Sequence, residues 1–185
     1  IDPNLIERKI TKKTKAILVV DIFGHPANYK KIKSIAKKHN LRVIGDNAQS
    51  IGTKYFFKYA GTMSDIGGFS LNCHKQINTG EGGILITNNK MIASKLRLIR
   101  NHAESSLTSK SKKNLINMIG YNFRLGEIES AIGIEQLKKL RKIILYRKFL
   151  ANKLIYKLKD LEGLRLPIIK KNCTHSFYTF PLILN

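Results

Sequence analysis

Four polar residues in the first half of this 185-residue sequence are of types that suit one chemistry. Asp46 and Gln49 belong to the stretch GDNAQS, Ser70 to GFSLN and Lys75 to NCHKQ. Taken singly, each has an ordinary explanation, such as a helix cap, a solvated amide, a strand hydroxyl or a surface charge. Together they offer a carboxylate, an amide, a hydroxyl and a primary amine to a single ligand.

This combination meets the needs of a pyridoxal 5'-phosphate site. A lysine amine holds the cofactor aldehyde as a Schiff base, a carboxylate pairs with the pyridinium nitrogen, and polar groups hold the phosphate. The displaced lysine amine can then move protons between the substrate carbon and the cofactor, as transamination requires. We interpret Lys75 as the Schiff-base and proton-transfer residue and Asp46 as its electronic partner.

The elements that position these residues follow a β-α-β order. AILVVDIF at 16–23 is mostly apolar and β-branched, which predicts a strand buried on both faces. A helical pattern over 29–39 and a strand at 41–46 complete the unit. Asp46 ends that strand, where ligands bind in open parallel sheets. Two further strands are predicted at 65–71 and 83–87, so the predicted fold class is α/β with a mostly parallel sheet.

Helical spacing dominates the second half of the chain. A helix is predicted from about Lys90 to Arg100, and apolar residues recur from Leu125 to Leu161 as in one long helix or two joined ones. The tail HSFYTFPLIL predicts a strand at 175–184. The TGEGG turn could cradle a phosphate, although a turn between strands that needs positive φ is the simpler explanation.

Composition restricts the classes of function. The net charge of +22 suggests nucleic acid or an anionic membrane as a partner, but the lysines are spread over nearly every helical segment. A basic nucleic-acid-binding protein remains an alternative, and its binding would depend steeply on salt. Cys73 and Cys173 form no Cys-x-x-Cys spacing, which predicts no disulfide framework or zinc site and fits a cytoplasmic protein. No apolar run approaches the roughly 20 residues of a membrane span.

Four blocks of the sequence resemble the DegT/DnrJ/StrS-type sugar aminotransferases, which are pyridoxal phosphate enzymes of fold type I. The resemblance covers nearly the whole chain, and the spacing within and between the blocks makes it specific. The blocks are ITKKTKAILVVDIFGHPANYKKIKSIAKKHNLRVIGDNAQSIGT, SDIGGFSLNCHKQINTGEGGILITNN, KLRLIRNHAE and GYNFRLGEIESAIGIEQLKKL.

The resemblance implies a role for each matching residue. Asp46 would pair with the pyridine nitrogen, Gln49 would contact the ring side of the cofactor, Ser70 would bind the phosphate and Lys75 would form the Schiff base. Asn122, in the Gly-Tyr-Asn-aromatic-Arg motif, would reach the phosphate in the neighbouring subunit's site, which implies a homodimer.

The activity implied is ping-pong transfer of an amino group, from glutamate, to a nucleotide-linked keto sugar in sugar, polysaccharide or lipopolysaccharide biosynthesis. Some relatives carry histidine at the lysine position and catalyse dehydration. Counting forward from Ser70 and back from Gly80 places Lys75, and not His74, at the Schiff-base position. A regulatory or catalytically incomplete cofactor-binding homologue is the second alternative.

Two substitutions and the two ends depart from the family pattern. Gly45 stands where an acidic residue is common, and Ala103 where glycine usually follows Asn-His. The N-terminal phosphate loop and most of the small domain have no counterpart, so we expect a fragment that binds cofactor poorly by itself. The expected division is the end of the large domain over 1–120, a linking helix over 121–150 and the start of a small domain over 151–185.

Overall fold

The computed structural model describes residues 1–104 and 118–185, in which a four-stranded sheet carries the candidate site. Strand order is β1-β2-β5-β6, with the first two pairs parallel and the last antiparallel. The predicted α/β class with a mostly parallel sheet is therefore confirmed. The elements are β1 Ala16–Val20, α1 Tyr29–Lys38, β2 Arg42–Asp46, β3 Lys54–Tyr55, β4 Lys58–Tyr59, β5 Ile66–Ser70, β6 Gly83–Ile86, α2 Lys90–Arg100, α3 Glu127–Leu158, β7 Leu164–Arg165 and β8 Ile183–Leu184.

The first β-α-β unit forms as predicted because its boundaries are encoded locally. The Asn28 side chain caps α1 by accepting a hydrogen bond from the Lys31 amide. After the helix, Asn40 adopts a left-handed φ of 51°, which turns the chain into β2. Parallel pairing of β1 with β2 then places Val20 opposite Asp46, at the same edge of the sheet.

One face of the sheet packs against α1 and the other is open among the described residues. Ile17 and Val19 are buried with α1, whereas Leu18 is 60% exposed and Val20 38% exposed. The prediction that the first strand is buried on both faces is therefore wrong, because the helix covers only one side of it. The open face carries the depression that forms the candidate site.

A chain reversal between β5 and β6 accounts for the antiparallel pair. The connection contains Lys75 and ends in the TGEGG turn, where Gly80 has φ 85° and Gly82 has φ 153°. Side chains rarely adopt such φ values, so glycine is needed for the backbone path. This supports the explanation of TGEGG as a turn between strands.

The long helix α3 is one continuous element of 32 residues, which selects the first of the two predicted arrangements. Its buried residues include Ile144, which packs against Gly52 in the loop after β2. α3 passes through residue 150 without a break. The expected division into a large domain, a linking helix and a small domain stays a prediction.

The tail departs from the strand predicted over 175–184. Only Ile183–Leu184 form a strand, β8, which pairs with β7. The segment 175–178 instead packs against the site, with His175, Ser176 and Phe177 buried. Its polar groups bond to side chains and loop carbonyls and not to a neighbouring strand, which is why the alternating pattern did not produce a strand there.

Candidate active site

The carboxyl ends of three parallel strands meet at one edge of the sheet. β2 ends at Asp46, β5 ends at Ser70, and Asp21 follows β1 directly. Asp46 and Ser70 both line an open depression of about 360 Å³ together with Ala48, Gly68 and Gly82. Two of the predicted site residues are thus brought to one concave surface, where ligands of such sheets bind.

The turn after β2 presents Asp46 and Gln49. Asp46 Oδ1 accepts a hydrogen bond from the Ala48 amide at 3.1 Å, and the Asn47 amide bonds to the Gly68 carbonyl at 2.8 Å. Gln49 Oε1 accepts from the Phe23 amide at 2.6 Å, which ties this turn to the loop after β1. The Gln49 side chain is therefore oriented by a hydrogen bond to the backbone.

The loop after β5 presents Lys75. The Leu71 amide bonds to the Gly82 carbonyl and the Thr79 amide to the Leu71 carbonyl, which closes the base of the loop. Ser70 Oγ accepts from the Asn72 amide at 3.2 Å. Lys75 is half-buried, whereas its neighbour His74 is exposed.

Gln76 joins the lysine loop to the Gln49 turn. Its side chain is buried, and its Nε2 donates to the Gln49 carbonyl at 3.2 Å and to Ser176 Oγ at 3.2 Å. The residue that follows Lys75 is thereby fixed to the turn that carries Asp46. The structure thus brings Asp46 and Ser70 into the depression and joins the Gln49 turn to the Lys75 loop beside it, while Gln49 and Lys75 themselves do not line the depression.

Asn122 lies elsewhere and does not line the depression. It is exposed and forms an isolated antiparallel bridge with Asn101, whose Oδ1 accepts from Arg124 at 2.8 Å. Its expected action in a neighbouring subunit's site stays a prediction.

The structure explains one of the two departures from the family pattern, Gly45, and not the other, Ala103. A Cβ added at Gly45 would lie 2.8 Å from Asn47 Oδ1 and 2.9 Å from Ser64 Oγ, so a side chain there would have to displace both groups. Ala103 has a φ of 57°, in the left-handed region that glycine adopts at lower cost.

Asp21 is a structural partner of the site that the sequence reasoning missed. It is fully buried; its Oδ1 accepts from the Ala27 amide and its Oδ2 from Asn47 Nδ2, both at 2.8 Å, with Ser50 Oγ at 3.4 Å. Burial raises the pKa of Asp21 to about 6, and the bond from Ala27 opposes that rise. The signal that could have found it is its place after an apolar strand, like that of Asp46.

We expect Asp21→Ala to lower the free energy of unfolding by about 2–4 kcal/mol, because it leaves buried donors without an acceptor and opens a small cavity. Urea denaturation at pH 7 measures this change. The matched control is Asp2→Ala, which removes an exposed carboxylate and should change stability by less than about 0.5 kcal/mol. Equal effects of the two substitutions would contradict the structural role of Asp21.

His175 makes the stability depend on pH. Burial lowers the pKa of His175 to about 4, with smaller effects from the charges of His25 and Lys148. Between pH 6.5 and 4 the unfolded chain therefore binds more protons at this position than the folded chain does. Its contribution to stability is full above pH 6.5 and is lost as the pH falls through that window. Asp21, with its raised pKa, acts in the opposite direction between about pH 4 and 6.

We expect His175→Gln to remove this acid-dependent loss while leaving the opposite effect of Asp21. Denaturation at pH 7, 5.5 and 4.5 compares the two proteins. As the pH falls, the wild type should lose stability relative to the variant. A difference between the two proteins that is constant with pH would show that His175 does not titrate as its burial predicts.

The other side chains that could bind a metal ion have structural explanations or are unmodified. His39 follows the last residue of α1, as expected for a helix-end residue, and contacts Glu7. Both cysteines are free thiols. In the two described ranges, no cluster of His, Cys, Asp and Glu side chains is arranged to hold a metal ion.

None of the helices described combines the length and apolar character needed to cross a membrane.

A lysine, a carboxylate and a hydroxyl beside the same strand ends are groups that a pyridoxal phosphate site needs. The chain belongs to the DegT/DnrJ/EryC1/StrS aminotransferase family, whose model matches residues 1–185. The resemblance drawn from the four sequence blocks is confirmed.

Two relatives with assigned activities show how much of such proteins the chain represents. It is 37% identical to a GDP-perosamine synthase of Escherichia coli O157:H7 over 178 residues, which cover 96% of the chain and 46% of that protein. It is 36% identical to a UDP-4-amino-4,6-dideoxy-N-acetyl-beta-L-altrosamine transaminase of Helicobacter pylori over 139 residues, which cover 75% of the chain and 36% of that protein. The chain therefore spans about half the length of the curated relatives it matches, or less.

Solved structures give the same fold. The Helicobacter pylori aminotransferase PseC, of pseudaminic acid biosynthesis, superposes with a TM-score of 0.91 and 31% identity, covering all of this chain and 49% of PseC. An Escherichia coli GDP-4-keto-6-deoxy-D-mannose-3-dehydratase with bound hydrated pyridoxal phosphate gives 0.86 and 31%, covering all of this chain and 50% of the dehydratase.

The residues of this chain suit the same cofactor. Their donor chemistry provides an amine for the aldehyde, a carboxylate for the ring nitrogen and a hydroxyl for the phosphate. A Cβ added at Gly68 would approach Leu85 Cδ2 to 3.3 Å, so a side chain at this position would narrow the depression.

Proposed function

We propose that the intact protein is a pyridoxal phosphate-dependent aminotransferase that aminates a nucleotide-linked keto sugar, with glutamate as the amino donor. The observation that carries this proposal is the meeting of Asp46, Ser70 and the Lys75 loop at one sheet edge. Family membership and the sugar nucleotides in the relatives' names support the substrate class. The pathway class is sugar or polysaccharide biosynthesis in the cytoplasm.

Each residue of the chain has a defined task in this proposal. Pyridoxal phosphate, when bound, supplies an aldehyde that condenses with amines and a ring that withdraws electrons from the substrate carbon. The Asp46 carboxylate would hold a proton on the ring nitrogen, and the Ser70 hydroxyl would donate to the phosphate. The Lys75 amine would hold the cofactor in place and, when free, would accept and return a proton at the substrate carbon.

The homodimer belongs to the same proposal. The exposed position of Asn122 supports it, since a residue outside the depression of its own chain is free to reach a second one. A partner subunit would then contribute the Asn122 amide to the phosphate.

The experiment is a turnover assay of the intact protein with pyridoxal phosphate, glutamate and either GDP-4-keto-6-deoxy-D-mannose or a UDP-linked 4-keto sugar. Mass spectrometry of the sugar nucleotide should show replacement of the keto oxygen by an amino group, with 2-oxoglutarate released in equal amount. Loss of a hydroxyl group without amination would mean dehydratase chemistry. Cofactor binding without any product from these substrates would favour the regulatory homologue instead.

A further inference from the structure

The segment 175–178 is anchored against both loops of the candidate site. The Ser176 amide donates to the Gly24 carbonyl at 2.9 Å, and Ser176 Oγ contacts Gln76 Nε2 at 3.2 Å and the Gln49 carbonyl at 3.4 Å. Ser176 is fully buried. This segment, about 100 residues after Lys75 in the sequence, is therefore fixed by hydrogen bonds beside the same site.

The position of Tyr178 follows from these anchors. Arg147 of α3 donates from Nη1 to the carbonyls of Phe177 and Tyr178, at 3.1 and 3.3 Å. The Phe177 ring stacks on His175 with a centroid distance of 4.0 Å. With its backbone held from two sides, Tyr178 presents its ring to the lysine loop.

The Tyr178 ring lies against the Lys75 amine. Lys75 Nζ is 4.5 Å from the ring centroid, within the range at which an aromatic face attracts an ammonium group. A similar contact elsewhere in the chain serves as a reference, because Lys54 Nζ lies 4.6 Å from the exposed Tyr59 ring. The first contact is held by a buried network and the second is on the surface.

We propose that Tyr178 is a positioning residue for Lys75. The face of the tyrosine ring holds the free lysine amine in place and shields it from solvent. This role rests on the proposed function of Lys75, since an amine that is released and rebound in each turnover must stay within reach. The ring does so without a hydrogen bond that would have to be broken. The contact itself can be tested without cofactor or substrate.

The test is competitive acetylation of the intact protein, free of cofactor, with limiting reagent at neutral pH. The relative rates at Lys75 and Lys54 are read by peptide mass spectrometry. Tyr178→Leu removes the aromatic face and keeps much of the volume. It should raise the rate at Lys75 by roughly 2- to 5-fold and leave Lys54 unchanged. Tyr178→Phe keeps the ring and should stay close to the wild type.

Two matched variants separate positioning from general loosening of the fold. Tyr59→Leu should raise the rate at Lys54 and not at Lys75. Arg147→Gln releases the backbone of Tyr178 and should raise the rate at Lys75 in part. An unchanged Lys75 rate in Tyr178→Leu would overturn the proposal, as would equal rises at Lys75 and Lys54 or a phenylalanine variant that behaves like leucine. Because the readout is cofactor-independent, failure of the aminotransferase proposal would leave these results intact.

Discussion

Replacing Lys75 with arginine is expected to abolish amino transfer by the intact protein, with turnover falling by on the order of a thousandfold or more. Arginine keeps the positive charge beside Tyr178 but does not form the Schiff base. Its guanidinium stays protonated near neutral pH, so it cannot act as a base. The measurement is the rate of 2-oxoglutarate release with a saturating keto sugar.

The matched control for this change is Lys54→Arg. Lys54 also lies over a tyrosine ring, but it belongs to the β3–β4 hairpin and not to the loop between β5 and β6 that carries Lys75. It should leave turnover within a factor of about two. Activity of the Lys75 variant within tenfold of the wild type would contradict the assignment of this lysine.

Asp46→Asn is expected to produce the second largest loss, a fall in turnover of roughly a hundredfold or more. An amide is nearly equal in size and still accepts from the Ala48 amide, but it does not hold a positive ring nitrogen. Attachment of the cofactor to Lys75 should survive, because that step needs only the amine. The expected signature is therefore loss of turnover with retention of borohydride-trapped cofactor.

Asp65→Asn is the control for the carboxylate. Asp65 precedes β5 at the opposite end of the sheet and accepts from the Val43 amide and from Arg42. Its substitution should lower stability and leave turnover per folded molecule unchanged. If both aspartate variants reduced turnover equally, the effect of Asp46 would be structural and not electronic.

The sequence predicted the parts of the site that depend on local patterns. Asp46 and Ser70 lie at strand ends, and strand ends can be located from short apolar runs between turn signals. The assignment of Lys75 came from the family resemblance, with its register fixed by the spacing to Ser70 and Gly80, and it stays a prediction. These residues come together because parallel strands align their carboxyl ends, which is a general property of such sheets.

The parts that the sequence did not predict depend on contacts between distant residues. Gln76 meets Ser176 and Lys75 meets Tyr178 across about 100 positions, and no local pattern reports such a contact. The tail was expected to be a strand because its residues suit one. Buried bonds to Gly24 and Gln76 take up the polar groups that a strand would have paired, so tertiary structure overrode the local preference.

The burial of the first strand also depends on contacts with distant residues, which its own sequence does not predict. An apolar run predicts burial but does not say what covers each face. In the described residues α1 covers Ile17 and Val19, and the opposite face, with Leu18, borders the depression. The candidate site and the open face of the sheet are therefore one continuous surface.

The most direct test of the central claim is chemical trapping of the cofactor on the intact protein. The protein is incubated with one equivalent of pyridoxal phosphate, reduced with borohydride, digested and mapped by mass spectrometry. A chain with 26 lysines offers many competing amines, so selectivity is informative. We expect label on Lys75 alone, lost in Lys75→Arg and kept in Lys54→Arg. Label spread over many lysines, or equal label in the Lys75 variant, would contradict it.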